Sequence, residues 1–404
     1  MKRIGTVFMA ALLCACMLTG CGSNGGKGTS TAASGGTEST AASEKSTQDT
    51  SSKEEDSSDK GSESQTGESS QGTAESSAEQ TSGKNYREQD AEYTVENGVI
   101  VVYQDGHYRG MEMFGGGSGD AYVDTLNSLR SKLDSSIRIY SMIAPLACQY
   151  YIPANYEDYT ADQKEYIDDN IYARLNDGIT TVDIVSVLGN HTSENIYCRT
   201  DHHWTPLGAF YAAQAFAGAA GVDFKDLNTF TPETINDFVG TMYAFSGDIN
   251  IKNDPEDFTY YIPDNYSQCK NDFYDTSFNY DYTGSYFKQV GDPQSNAYLT
   301  FFGGDEQIVK IRTNVKNGKK VLIVKDSYGN AIPSNLTNSF EEIYIADMRY
   351  FTPNLVDFVN QMGITDVLFA MCVFSAFGEN SYGMPDLLTQ AAGQTITDGY
   401  DPEA

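Results

Sequence analysis

The chain has 404 residues, with 56 acidic against 26 basic side chains and a formal charge of −30. That balance excludes nucleic acid as a partner, because a polyanion is repelled rather than drawn in. The length suits one large domain, alone or with a small companion.

The chain opens with Lys2 and Arg3, then the apolar run GTVFMAALLCACMLTG, then Cys21. A charged start followed by an apolar core shorter than the ~20 residues that span a bilayer predicts a signal peptide over residues 1–20. Its ending, LTGC, resembles the lipobox of bacterial lipoproteins. The resemblance implies cleavage before Cys21 and lipidation of its sulfur, hence a protein anchored in the lipid membrane at the extracytoplasmic face. From 21 to 88 the composition is Ser, Thr, Gly, Glu and Ala, with eleven acids and five bases between 22 and 84. Such a segment buries too little to offset the entropy of ordering, so a disordered linker is expected, with a reach of roughly 45 Å. The folded domain is then residues 89–404.

Within it, GVIVVYQDG, SSIRIYSMIAP and TTVDIVSVL predict strands, separated by the helical patterns AYVDTLNSLRSKL and TADQKEYIDDNIYARLN. Residues 228–300 alternate aromatic and polar residues with turn formers, which predicts a β-rich insertion. Afterwards KKVLIVKDSYGNA, EEIYIADMR and TDVLFAMCVF read as buried strands, with SNLTNSF and PNLVDFVNQMG as helices between them. The expected fold is α/β: a doubly wound, mostly parallel sheet in a flavodoxin-like three-layer arrangement, with sites at the carboxyl ends of the strands. Four cysteines remain in the domain, Cys148, Cys198, Cys269 and Cys372. They lack zinc-site spacing and fit either two disulfides or buried free thiols. The 28 tyrosines suit a surface that meets sugars by stacking and hydroxyl hydrogen bonds.

The chemistry concentrates in TDHHWTPLG, which holds two of the four histidines and the single tryptophan. Thr205 followed by Pro206 is a helix start, hydroxyl cap then proline. Residues 201–204 therefore precede the helix, and in extended backbone Asp201 and His203 share a face with His202 opposed. A carboxylate beside an imidazole fixes its tautomer and stabilises the imidazolium. The missing nucleophile is found in VLIVKDSYGN, where Ser327 follows a buried strand on a turn whose N–H groups suit an oxyanion. Asp326, Tyr328 and Asn330 on that turn, and His202, Trp204, Thr205 and Arg349, are assigned supporting places. Arg349 ends a strand on the same edge, with an ion pair to Asp347 as its default.

These two motifs resemble the DHHW family of Gram-positive bacteria and, more broadly, the alginate O-acetyltransferase-like (AlgX/AlgJ-like) branch of the SGNH hydrolases. The resemblance covers roughly residues 95–385. It implies an SGNH hydrolase-like fold, with Ser327 as nucleophile, His203 as base and Asp201 as its orienter. Lys325 departs from the family, standing where Gly commonly precedes Asp-Ser. The implied activity is O-acetyl transfer or ester hydrolysis on a cell-wall or secreted polysaccharide, with an acyl donor that a membrane-bound acyltransferase would supply. No cofactor or metal is implied. The DHH triplet lacks the further aspartate motifs of metallo-phosphoesterases. A catalytically silent glycan-binding scaffold is the alternative.

Overall fold

The computed structural model describes residues 83–158 and 160–399. The segment expected to be a signal peptide, Cys21 and nearly all of the expected linker lie outside them. Three strands, β1 (Glu92–Glu96), β2 (Val99–Gln104) and β3 (His107–Glu112), form an antiparallel sheet. β4 (Arg138–Ala144) and β5 (Ile179–Thr181) begin a second, larger sheet. Next, β6 (Thr231–Phe238) and β7 (Glu256–Ile262) pair antiparallel with each other. β8 (Lys270–Tyr274), β9 (Tyr280–Gly284), β10 (Ile308–Arg312), β11 (Lys320–Lys325), β12 (Glu342–Asp347) and β13 (Asp366–Cys372) complete the large sheet, in the order β5-β4-β13-β11-β12-β10-β8-β9.

Five of those eight strands, β5 to β12 in spatial order, run parallel. β10, β8 and β9 join antiparallel at one edge. The sheet is thus a mixed one, its parallel portion carrying an antiparallel edge of three strands, within an α/β fold. The reason is that half of the 228–300 segment extends this sheet instead of forming a separate insertion. β4, β11, β12 and β13 are buried along nearly their whole length, as strands covered on both faces must be.

Three further expectations change. GVIVVYQDG is β2 of the small sheet and never enters the large one. TTVDIVSVL supplies only two of the three residues of β5, Thr180 and Thr181, before Asp183 caps the helix Ile184–Gly189 by accepting from Ser186 N. A polar capping residue inside an apolar run switches its period from strand to helix. Tyr86, inside the expected linker, is buried against Tyr151 at 5.0 Å between ring centroids and donates to Asp105 Oδ2 at 2.5 Å. Thr192 Oγ1 also donates to the Lys84 carbonyl, Arg87 to the Gln149 carbonyl and Ala154 N to the Gln89 carbonyl, so this short stretch is tied to the domain at several points.

The helix Pro206–Ala220 has Thr205 as its cap, the Oγ1 accepting from Gly208 N at 3.3 Å. It buries Phe210, Ala213, Phe216, Ala217 and Ala220, and Phe216 meets Tyr140 of β4 edge-on at 5.1 Å and Phe340 at 5.9 Å. Eleven tyrosines are themselves core residues, so much of the tyrosine content serves packing rather than a sugar-facing surface. All four described cysteines are free. Phe216→Ala should cost about 3–5 kcal/mol of unfolding free energy, read from chemical denaturation. A loss below about 1 kcal/mol would show that this helix does not depend on that contact.

Candidate active site

The motif loop is tied down on both sides. Cys198 N–H donates to the His203 carbonyl at 3.1 Å and Thr205 N–H to the Ile196 carbonyl at 3.0 Å, closing the loop on itself. Buried Glu256 of β7 accepts from Arg199 N at 2.8 and 2.9 Å, and from Thr200 N and Oγ1 at 2.7 Å each. Residues 201–203 are bends rather than extended backbone. Asp201 meets His203 because its Oδ1 accepts from both the backbone N (3.1 Å) and the ring Nδ1 (2.7 Å) of the residue two ahead. This is the local aspartate turn, not strand alternation.

The other carboxylate oxygen, Oδ2, accepts from Thr241 N and Oγ1, both at 3.0 Å. A Cβ at Gly240 would overlap Asp201, so only glycine lets this chain segment close over the carboxylate. Burial alone would raise the Asp201 carboxyl. The positive charge that His202 or His203 carries when protonated, with the hydrogen bonds from His203 and Thr241, outweighs it and holds the group well below the ordinary carboxylate range. An ionised carboxylate only accepts, so His203 carries its proton on Nδ1 and presents the Nε2 lone pair.

His202 does not point away, as alternation requires. Its ring lies 3.7 Å from that of His203, tilted 37°, and its Nδ1 is 2.6 Å from Thr241 Oγ1. Thr241 spends its single hydroxyl proton on Asp201, so His202 Nδ1 must be the donor. Burial, and then repulsion from His203 when that ring is protonated, lower the His202 pKa from its ordinary value. Glu112, at the end of β3, faces the same cluster. Burial raises its carboxyl, the Asp201 charge adds to this and His202 opposes it.

The second half of the site hangs from β11. Asp326 Oδ1 accepts from Tyr328 N at 3.0 Å and Oδ2 from Cys372 N at 2.9 Å, fixing a 3-10 turn over Ser327–Ala331 between the ends of β11 and β13. Ser327 heads the turn and is the one residue of it that is not buried. Its Oγ is 2.9 Å from His203 Nε2. The structure therefore brings Asp201, His203 and Ser327 into one hydrogen-bonded line.

Two reciprocal bonds lock the halves together. Trp204 Nε1 donates to the Tyr328 carbonyl at 3.0 Å, and the Tyr328 hydroxyl donates to the His202 carbonyl. Trp204 is 1% exposed, which leaves no face for a sugar.

A profile of the family described as DHHW protein matches residues 44–346. The chain belongs to the DHHW family. The crystal structure of a DHHW family protein from Eubacterium siraeum is 45% identical, with a TM-score of 0.70, and covers 74% of this chain and 99% of its own. Bacillus cereus PatB1, solved with a sulfonyl adduct, is 18% identical at TM-score 0.56, covering 72% of this chain and 98% of its own; it shares the fold. The O-acetyltransferase domain of Pseudomonas putida AlgJ is 14% identical with a TM-score of 0.40 over 78% of this chain and 96% of its own, too loose a superposition to build on. No curated protein matches the chain.

In this DHHW protein the remaining supporting residues serve the two loops. Arg349 binds Asp347 through Nε at 2.8 Å and through a second nitrogen at 2.7 Å, the latter also reaching Asp305 at 2.8 Å. Lys325, fully buried, joins the same carboxylates at 2.8 and 2.9 Å. Asn330 Nδ2 donates to Asp305 Oδ1 at 2.9 Å. Arg349 thus has its charge spent within the protein.

Among the described residues, Asp201, His202 and His203 form a group whose donor atoms lie within 4.8 Å of one another, close enough to consider a metal. Both His203 nitrogens and His202 Nδ1 are already engaged, leaving His202 Nε2 without converging partners for an ion. The sequence reading missed Thr241, Glu256 and Tyr298, which come from segments without a motif. Gly240 beside Thr241 was the one available signal.

Burial works to raise the Asp305 carboxyl, yet Lys325 and Arg349 hold it below its ordinary value. A depressed folded-state pKa gives stability that is present above the unfolded value and lost as pH falls. Melting temperatures should therefore drop most steeply below about pH 4, and Asp305→Asn should start lower and flatten that slope. Identical slopes in the two proteins would remove the carboxylate from the account. Gly240→Ala should displace the buried Asp201 carboxylate and lower the melting temperature read by circular dichroism; an unchanged melt would show that the glycine is not needed there.

Proposed function

We propose that this DHHW protein is a serine acyl-transfer enzyme that moves O-acetyl groups onto or off a cell-wall or secreted polysaccharide. The observation that carries the reading is the unbroken relay of 2.7 Å from Asp201 to His203 and 2.9 Å from His203 to a part-exposed Ser327. His203 Nε2 takes the hydroxyl proton as Oγ attacks the acyl carbon, and Asp201 stabilises the imidazolium that forms. The Ser327 N–H, first in its turn, suits the developing oxyanion. Collapse of the tetrahedral intermediate expels the donor's leaving oxygen, which takes the proton from His203, and an acyl-serine remains. A sugar hydroxyl then gives its proton to His203 and attacks the acyl carbon, and the second tetrahedral intermediate expels Ser327 Oγ, which takes that proton back from His203; this is transfer, and water in place of the sugar gives hydrolysis.

Supporting roles follow from the contacts. Asp326 shapes the nucleophile turn, Trp204 and Tyr328 hold the loops in register, and Thr205 starts the helix behind them. The acyl donor would come from a membrane-bound acyltransferase. The placement of the protein on the extracytoplasmic face, lipidated at Cys21, belongs to the same proposal and rests on the LTGC ending alone.

Ser327→Ala should abolish acetyl release from a chromogenic acetyl ester, and a sulfonyl fluoride or fluorophosphonate should label the wild-type protein at Ser327 only. The sulfonyl adduct recorded on the Bacillus relative recommends the first probe. Turnover that survives in Ser327→Ala ends the reading. A folded wild type that takes no label favours a silent glycan-binding scaffold instead. For the anchor, Cys21→Ser should release the protein from the membrane fraction and block incorporation of labelled fatty acid.

A further inference from the structure

Two edges and two faces define the surroundings of an imidazole, and all four are occupied at His203. The edges bind Asp201 and Ser327. One face meets His202. The other meets Tyr298, whose ring lies 3.8 Å away and is parallel to within 4°. Tyr298 is 6% exposed and sits in a short turn, Ala297–Thr300, far from either motif in the chain. Its own position is fixed: the hydroxyl donates to the Tyr328 carbonyl at 3.0 Å and accepts from Trp204 Nε1 at 3.2 Å. Phe258 and Phe301 pack edge-on against its ring at 6.2 and 5.5 Å.

We propose that Tyr298 is a positioning residue for acyl transfer, whose ring face steadies His203 and favours the imidazolium over the neutral ring. This rests on the acyl-transfer reading above. An aromatic face carries a negative quadrupole, so it attracts a cation placed over it and does little for a neutral heterocycle. His203 is neutral while substrate binds and cationic while Ser327 attacks. The stack therefore strengthens along the reaction, and an interaction of that kind raises kcat rather than lowering KM. The site is desolvated on this side, where such contacts are strongest.

The test compares Tyr298→Phe, Tyr298→Leu and a series of increasingly fluorinated phenylalanines at position 298, using a chromogenic acetyl ester and the rate of sulfonyl fluoride labelling. Tyr298→Phe keeps the ring face while losing the hydroxyl bonds to Tyr328 and Trp204, so it is the baseline for the fluorinated series and should stay more active than Tyr298→Leu. Tyr298→Leu should lose roughly ten- to thirtyfold in kcat with KM unchanged, and label more slowly. The fluorinated rings keep shape while draining charge from the face, so kcat should fall stepwise with each added fluorine even if the leucine variant fails to fold. A flat fluorine series, or a phenylalanine variant as damaged as the leucine one, overturns the proposal while leaving Ser327 as nucleophile. A wild-type protein that neither turns over nor labels overturns both.

Discussion

The site depends on one latch. The Trp204 indole donates to the carbonyl beside Ser327, and the Tyr328 hydroxyl donates to the carbonyl beside His203. Each loop thus supplies both the donor for one bond and the acceptor for the other, at a spacing of more than 120 residues. Without it the serine and the imidazole would sit on two independently hinged turns, and a displacement of about 1 Å between them is enough to break a proton relay. The single tryptophan of the chain is used as a fastener, buried and saturated, where its large ring and one N–H both count.

Around the latch, each half is prepared separately. Glu256 and Thr241, from β7 and from the segment after β6, hold Asp201 through its neighbours and through its free oxygen. On the other side Asp326 folds the Ser327 turn back onto β13, and the Lys325, Asp305, Asp347 and Arg349 cluster binds the end of β11 to β12 and to the loop before β10. A buried lysine two residues ahead of Ser327 is tolerated because two carboxylates satisfy it. Removing one partner from such a cluster costs far more than the cluster contributes as a whole. The mixed sheet follows the same logic, since β10, β8 and β9 extend the core toward the segment that delivers Tyr298.

How much could be read in advance varies by element. The strands at 320–325, 342–347 and 366–372 announce themselves as unbroken apolar runs, because burial on both faces leaves no polar position to confuse the pattern. The TTVDIVSVL run misleads because a capping aspartate converts an apolar stretch to helix after three residues. The 228–300 segment reads as β-rich, but local alternation does not say that β6 and β7 pair only with each other while β8 joins the large sheet through β10, beyond the segment.

The sequence alone determined the residue types of the relay and the local devices that present them: the aspartate two before the histidine, the Thr-Pro helix start, the serine after a buried strand. These are short-range matters of backbone conformation and capping, so they survive in a one-dimensional reading. Tertiary structure alone decided that the two loops meet at 2.9 Å, that His202 lies against His203 instead of opposing it, and that a tyrosine from an unmarked turn covers the remaining face. Those outcomes depend on which surfaces exclude water together, and that is fixed by the packing of the whole core rather than by any neighbour in the chain.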